Sequence, residues 1–298
     1  MQSSCCGLQK KKKAAYSTLA GYRSALGQVL RLTTGYDPGT CPILSQLMQS
    51  FKRTQPTPAK RIPEWDIGLV LSVLNEKENH NERLSLEMLT SKVVFLLALA
   101  SGDRVGALAA LRFPPKFADE EMIVSYDSKF VPKSYFVRKN VSRVSPLRVP
   151  YLNRPDHMQV CPCVTTEFYL CKTRELRSSV QSSLILPATG DRDRDMKGQM
   201  IAKYVVKLVR WCYEQVEETG PKCRAHDVRK IAASLRALNS ESLQEVLGAG
   251  SWSSPYTFLK HYFVPIQIHS KTGESTYESV IAGRKESFLS FQTKGQSK

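Results

Sequence analysis

The chain has 298 residues, 42% of them apolar, which is enough for one large core or for a large domain with a small companion. No run approaches the ~18 uninterrupted apolar residues of a membrane span, and the polar, then basic start (Lys10, Lys11, Lys12, Lys13) has no apolar stretch after it, so it does not read as a secretory signal. The net charge of +16 is uneven: residues 1–63 hold ten Lys/Arg against one acid, Asp37, and so carry +9 of it, a field that suits a polyanion through counterion release, though a basic surface or an anionic membrane contact would carry the same sign.

In chain order, Ala15, Leu19, Tyr22, Leu26 and Leu30 recur at helical spacing and predict an amphipathic helix over 15–32, with Arg23 and Arg31 off its apolar face. A short helix follows from Pro42 to Phe51. Three prolines then fall between Thr54 and Pro63 among basic side chains, which predicts an extended linker and a domain boundary. The predicted organisation is a small helical domain over 1–55, a Pro-rich basic linker over 56–63 and a large domain over 64–285. A polar tail over 286–298 completes it.

In the large domain, Trp65 to Asn75 and Met88 to Ala100 read as helices. Ser101-Gly-Asp103 breaks the second, and Asp103 is placed to cap a new helix from Arg104 to Leu111. Glu121 to Tyr126 and Pro146 to Tyr151 read as strands around a loop carrying Lys129, Lys133 and Lys139. Helical patterns follow over 164–176, 199–216, 225–238, 241–248 and 255–263, with one more short helix from Tyr277 to Ala282. No internal repeat is present. The predicted fold class is mostly α with a small antiparallel β-sheet (α+β).

The eight cysteines are not spaced as a disulfide framework, and a chain of this size does not need one. Reduced thiols fit a nuclear or cytoplasmic protein. His157, Cys161, Cys163 and Cys171 invite a zinc reading, but the C-x-C is short for a knuckle and an amphipathic pattern follows it, so no metal or other cofactor is expected.

Four local motifs carry chemistry. Ala100-Ser-Gly-Asp-Arg104 puts an arginine at the start of a helix directly after a very apolar one. The inter-strand loop offers lysines. Ala225-His226-Asp-Val-Arg229 sets two polar side chains on one helical face, and Leu247 to Tyr262 brings Trp252 close before a tyrosine. Each has a plain reading: a solvated helix end, a soluble hairpin, a surface pair, a core aromatic. Together they match what tyrosine needs to attack a phosphodiester. Two guanidinium forks can hold the non-bridging oxygens, His226 and the Trp252 indole can donate further hydrogen bonds, and a lysine ammonium can protonate the leaving sugar oxygen.

This set, in this order, resembles the tyrosine recombinase (phage integrase) family, whose order is Arg, Lys, His-x-x-Arg, His or Trp, then Tyr. The intervals of 122 residues from Arg104 to His226 and 33 from Arg229 to Tyr262 are similar to the family's. Pro63-Glu-Trp65-Asp-Ile-Gly-Leu, Phe130-Val-Pro-Lys133 and Trp252-Ser-Ser with Thr257-Phe-Leu-Lys-His-Tyr262 look like the recombinases of DIRS-type retrotransposons. The resemblance covers about residues 14–285. It implies a catalytic domain of the integrase type behind a short helical domain that grips DNA, a double-stranded DNA partner, and a tetramer on two DNA sites. It also implies cleavage through a 3′-phosphotyrosyl intermediate at Tyr262, with Arg104, His226, Arg229, Trp252 and a lysine in support. Of the lysines, Lys133 is favoured and Lys129 is the alternative. Lys10 to Lys13, Arg23, Lys60 and Arg61 are the expected DNA-contacting cations.

The chain also departs from the pattern. Its first domain is shorter than the family's, Ala107 stands where an acid often follows the first arginine by three, and Trp252 lies ten residues before Tyr262. Tyr256 is a rival nucleophile. Besides an active mobile-element strand transferase, the sequence leaves open a DNA-binding protein of the same fold that no longer cuts, and a type IB topoisomerase, which shares the chemistry.

Overall fold

The computed structural model describes residues 14–54, 61–132, 144–152, 155–178, 182–239, 242–249, 252 and 254–266. Packing divides the chain into two units, residues 1–61 and 62–298. No helix among the described residues is long and apolar enough to cross a membrane.

The first unit holds α1 (Tyr16–Thr34) and α2 (Pro42–Thr54). α1 ends at Gly35, whose φ of 70° is a left-handed conformation that glycine adopts without strain. The expected apolar face of α1 is not the buried one. Gly27 is the buried residue of α1, with Pro38 of the following turn against it, whereas Tyr22 and Leu26 are each 62% exposed. Two helices cover only one narrow face of each other, so the remaining apolar stripe faces outward. Arg23 turns inward and its Nη2 donates to the carbonyls of Pro38 (3.2 Å) and Gly39 (3.0 Å), tying the α1–α2 turn to α1.

The second unit is mostly helical with one small antiparallel sheet. Its helices are α3 (Ile67–Asn75), α4 (Leu86–Ser101), α5 (Val105–Ala109), α6 (Pro162–Lys172), α7 (Gly198–Gln215), α8 (Ala225–Asn239), α9 (Leu243–Ala249) and α10 (Pro255–His261). The strands β1 (Lys116–Phe117), β2 (Glu121–Val124) and β3 (Leu147–Pro150) lie in that order. In their register Met122 faces Val149 and Ile123 faces Arg148. The period-2 alternation buries Met122, Val124 and Val149 and leaves Arg148 outside. β1 was not predicted: two exposed residues are too few to show a period.

α4 is the axis of this unit. Its residues from Met88 to Leu99 are buried on every side, with α6, α7 and α8 packed around it. A helix apolar all round belongs in a core, and each buried Leu, Val or Phe contributes about 1.5–3 kcal/mol. Its polar residues are satisfied internally: Thr90 donates to Leu86 O, Ser91 to Glu87 O, and Lys92 to Leu74 O (2.9 Å) and Asn79 O (3.1 Å). Ser85 caps its start and Asp66 caps α3, whose side chain accepts from Gly68 N (2.7 Å). The helices therefore begin at Leu86 and Ile67 rather than at Met88 and Trp65.

Burial lowers the Lys92 pKa to about 7, with Cys212 and Glu82 partly opposing the shift. The folded state therefore prefers the neutral amine while the unfolded chain still binds a proton up to the ordinary lysine range. Across that window the unfolded state holds more protons, so stability rises with pH. The urea midpoint is expected to rise between pH 7 and pH 9, and to rise less in Lys92→Met. Equal rises in both proteins would mean that Lys92 carries no such cost.

Asp103 does not cap α5. The N-cap is Arg104, without a side-chain cap bond, and the Asp103 carboxylate turns away to accept from the Tyr126 hydroxyl. α5 is correspondingly short, ending at Ala109, and Leu111 instead bridges to Tyr126. The predicted helix from Tyr277 to Ala282 lies outside the described residues.

Candidate active site

The site forms where α4 stops. Ser101 donates to Leu97 O (2.7 Å), and Gly102 then takes a left-handed φ of 66°, a conformation that would strain a residue with a side chain. The turn leads directly to Arg104. α8 lies against it and supplies two arginines seven positions apart, two turns of one face. Arg229 Nη1 donates to Gly102 O and Arg236 Nη2 to Ala100 O. Arg229 is only 3% exposed.

Tyr262 comes to this place from the far end of the chain. Ser254 caps α10 and Pro255 opens it. Tyr262 follows immediately after α10, and its N–H donates to Phe258 O (2.8 Å). Ser234 of α8 fixes the segment: its hydroxyl donates to Tyr262 O (3.2 Å) and accepts from Val264 N (2.8 Å). The Tyr262 ring sits 4.9 Å from the Trp252 ring and 5.6 Å from the His226 ring, edge to face with the latter. The Arg229 guanidinium lies 4.8 Å from the Trp252 ring centre and 5.1 Å from that of Tyr262.

The electrostatics follow from this packing. Partial burial alone would push the Tyr262 phenol up, but the positive charges of Arg229 and Arg104 outweigh it. The phenol lies below its ordinary range. Desolvation and the cations Arg229, Lys230 and Arg104 hold His226 below its ordinary value, with Asp227 opposing, which favours the neutral imidazole. Trp252 is 5% exposed, and its buried Nε1 has no hydrogen-bond partner among the described residues. A buried donor left unpaired costs about 1–3 kcal/mol.

Of the predicted residues, the structure brings Arg104, His226, Arg229, Trp252 and Tyr262 together. It separates Tyr256, which is 67% exposed and paired with Lys260 (Nζ to the phenol oxygen 3.2 Å). Lys129 is exposed, in a turn after β2 whose backbone is held by Asp127; Arg112 in turn grips Asp127 (2.6 Å) and Asp195 (2.8 Å). Lys133 lies outside the described residues, as do Lys10 to Lys13 and Lys60, while Arg61 is half-buried at the end of the first unit. Cys161 and Cys163 are buried beneath β3, where the Cys163 thiol donates to Val149 O (3.2 Å), and Cys171 is exposed. Among the described residues no group of three or more His, Cys, Asp or Glu side chains is placed to hold a metal ion.

Four residues of the neighbourhood escaped the sequence reading: Asp103 as a carboxylate facing the arginines, Tyr126, Ser234 and Arg236. The spacing from Arg229 to Arg236 was the only visible signal, since it repeats one helix face.

No family model and no curated protein matches the chain. Among solved structures it is similar to the Tn1549 transposon integrase (residues 82–397) in complex with circular intermediate DNA, at 13% identity over 97% of this chain and 81% of that one, TM-score 0.48. It is also similar to a lambda integrase (75–356) dimer bound to a COC′ core site, at 15% identity over 80% and 73%, TM-score 0.44. XerA recombinase is similar at 12% identity over 91% and 84%, TM-score 0.44.

Proposed function

We propose that this chain is a tyrosine recombinase that cuts and rejoins DNA strands through Tyr262. One observation carries the reading: the Tyr262 ring packs against His226 and Trp252 with the Arg229 guanidinium 5.1 Å from its centre, and the charges of Arg229 and Arg104 both draw its phenol below the ordinary range. An ordinary half-buried tyrosine needs one hydrogen-bond partner. Two guanidiniums acting on one phenol bring together the planar donors that suit the oxygens of a phosphate.

In the proposed reaction the Tyr262 oxygen attacks phosphorus, and the bond to the 5′ sugar oxygen breaks in line. The phenol proton leaves to His226 or solvent, and a loop lysine, Lys133 or Lys129, gives its proton to the departing 5′ oxygen. Arg104 and Arg229 hold the two non-bridging oxygens as charge builds in the pentacovalent state, and the Trp252 Nε1 and His226 are further donors. The 3′-phosphotyrosyl bond conserves the free energy of the phosphodiester. A free 5′ hydroxyl can therefore reverse the step on another strand without a nucleotide cofactor.

The partner is double-stranded DNA, with Lys10 to Lys13, Lys60 and Arg61 as phosphate contacts. Arg23 is the weakest member of that set, because its guanidinium already serves the α1–α2 turn. The motif-level likeness to DIRS-type recombinases supports a mobile-element role, with a tetramer on two sites and nuclear action.

The test needs no knowledge of the target. The protein is incubated with a pool of nicked duplexes carrying a randomised core, and complexes that survive detergent are recovered and sequenced. A strand transferase yields covalent adducts enriched in one sequence. Retention of DNA with no adduct at any sequence would instead identify a binding protein of the same fold that does not cut. Relaxation of supercoiled DNA without sequence preference would point to a topoisomerase.

A further inference from the structure

Arg104 starts a short helix with no side-chain cap, and Ala107, on the next turn, offers it nothing to hold. Something else must fix a guanidinium that has to meet a phosphate to within a fraction of an ångström. The candidate is its own neighbour. The Asp103 carboxylate is held at Oδ2 by the Tyr126 hydroxyl at 2.6 Å, and its backbone N–H donates to Ser101 Oγ at 3.1 Å. Burial pushes the Asp103 carboxyl above its ordinary range, while the Tyr126 hydroxyl and the guanidiniums of Arg229, Arg236 and Arg104 pull it back toward the charged form. Tyr126 is fixed in turn: it bridges to Leu111, stacks on Phe130 at 5.3 Å, and follows β2 directly ahead of the lysine-bearing loop.

We infer that Asp103 and Tyr126 form a positioning brace that sets Arg104 and Arg229 against Tyr262. The inference rests on the strand-transfer reading for its purpose, but its geometry stands apart from it. A carboxylate among three arginines neutralises part of their mutual repulsion, so the pair at the phosphate site can sit closer than bare cations would. Tyr126 stops that carboxylate from swinging onto a single arginine. The brace gives the start of α5 a support that Ala107 does not. It also answers what Asp103 does instead of capping α5.

Two variants test it: Asp103→Asn, and the milder Tyr126→Phe, which removes one hydroxyl and no charge. The first readout is the titration of 3-fluorotyrosine placed at position 262, followed by fluorine NMR in the DNA-free protein. If the brace positions the arginines, both variants loosen them from the phenol, which then ionises at higher pH than in the parent. If Asp103 acts only through its charge, its removal leaves the cations unopposed and the phenol ionises at lower pH, which would overturn the proposal. An unchanged titration in Tyr126→Phe would overturn it as well. The second readout is adduct formation on the enriched nicked duplex, expected to fall by roughly a hundredfold in both variants while DNA affinity stays within a few fold. A parent protein that forms no adduct refutes the strand-transfer reading, yet the fluorine titration still decides whether the brace exists.

Discussion

Replacing Tyr262 with Phe is expected to abolish covalent capture of DNA, by at least about a thousandfold, while leaving DNA binding and folding close to those of the parent. The ring's packing against Trp252 and His226 does not involve the hydroxyl, so Phe keeps the shape and loses only the attacking oxygen. The matching change at Tyr256 is expected to leave capture intact, because that phenol is exposed and engaged with Lys260 rather than with either arginine. Detergent-resistant adducts on nicked duplex, with filter binding in parallel, measure both. Equal capture by the parent and Tyr262→Phe would remove Tyr262 from the chemistry.

The second large effect is expected at Arg229. Arg229→Lys preserves the charge but not the fork, which now reaches Gly102 O while its face lies over Trp252 and Tyr262. An ammonium cannot bond a carbonyl and two phosphate oxygens in that plane. Strand cleavage should fall by about a hundred- to a thousandfold, with DNA affinity changing by no more than a few fold. Arg104→Ala should behave similarly. If cleavage and affinity fell together in either variant, that arginine would be only a phosphate anchor. Trp252→Phe removes the Nε1 donor but also shrinks a buried ring packed on Phe258 and Tyr262, so its loss of cleavage is read against its loss of stability, measured in parallel.

Much of this arrangement was legible from residue types and intervals. Arg104 was found because a glycine-containing break follows an unusually apolar helix. His226 and Arg229 share a helical face, and Trp252 and Tyr262 follow in the order that the resemblance implies. The helices were visible because an apolar face repeats every three or four residues. The sheet was less so, since two exposed residues at β1 have no pattern to read.

What escaped depends on long-range contacts. The Asp103 side chain has two local options, to cap a helix or to face its own neighbours, and only the arrival of Tyr126 and of α8 from far along the chain decides between them. Ser234 likewise looks like any helical serine until Tyr262 and Val264 meet it. The apolar stripe of α1 misled for a different reason. Periodicity tells which residues share a face, but not whether the unit contains anything to cover it, and α2 and the turn around Pro38 cover a different face.

Trypsin separates the two rival tyrosines, because Lys260 lies between Tyr256 and Tyr262. Digesting a captured protein–DNA adduct with nuclease and then with trypsin leaves a nucleotide remnant on one peptide, which mass spectrometry can locate. The added phosphate and nucleotide are expected on the peptide spanning His261 to Lys271, at Tyr262. A remnant on the peptide that ends at Lys260, or at any other side chain, would contradict that assignment.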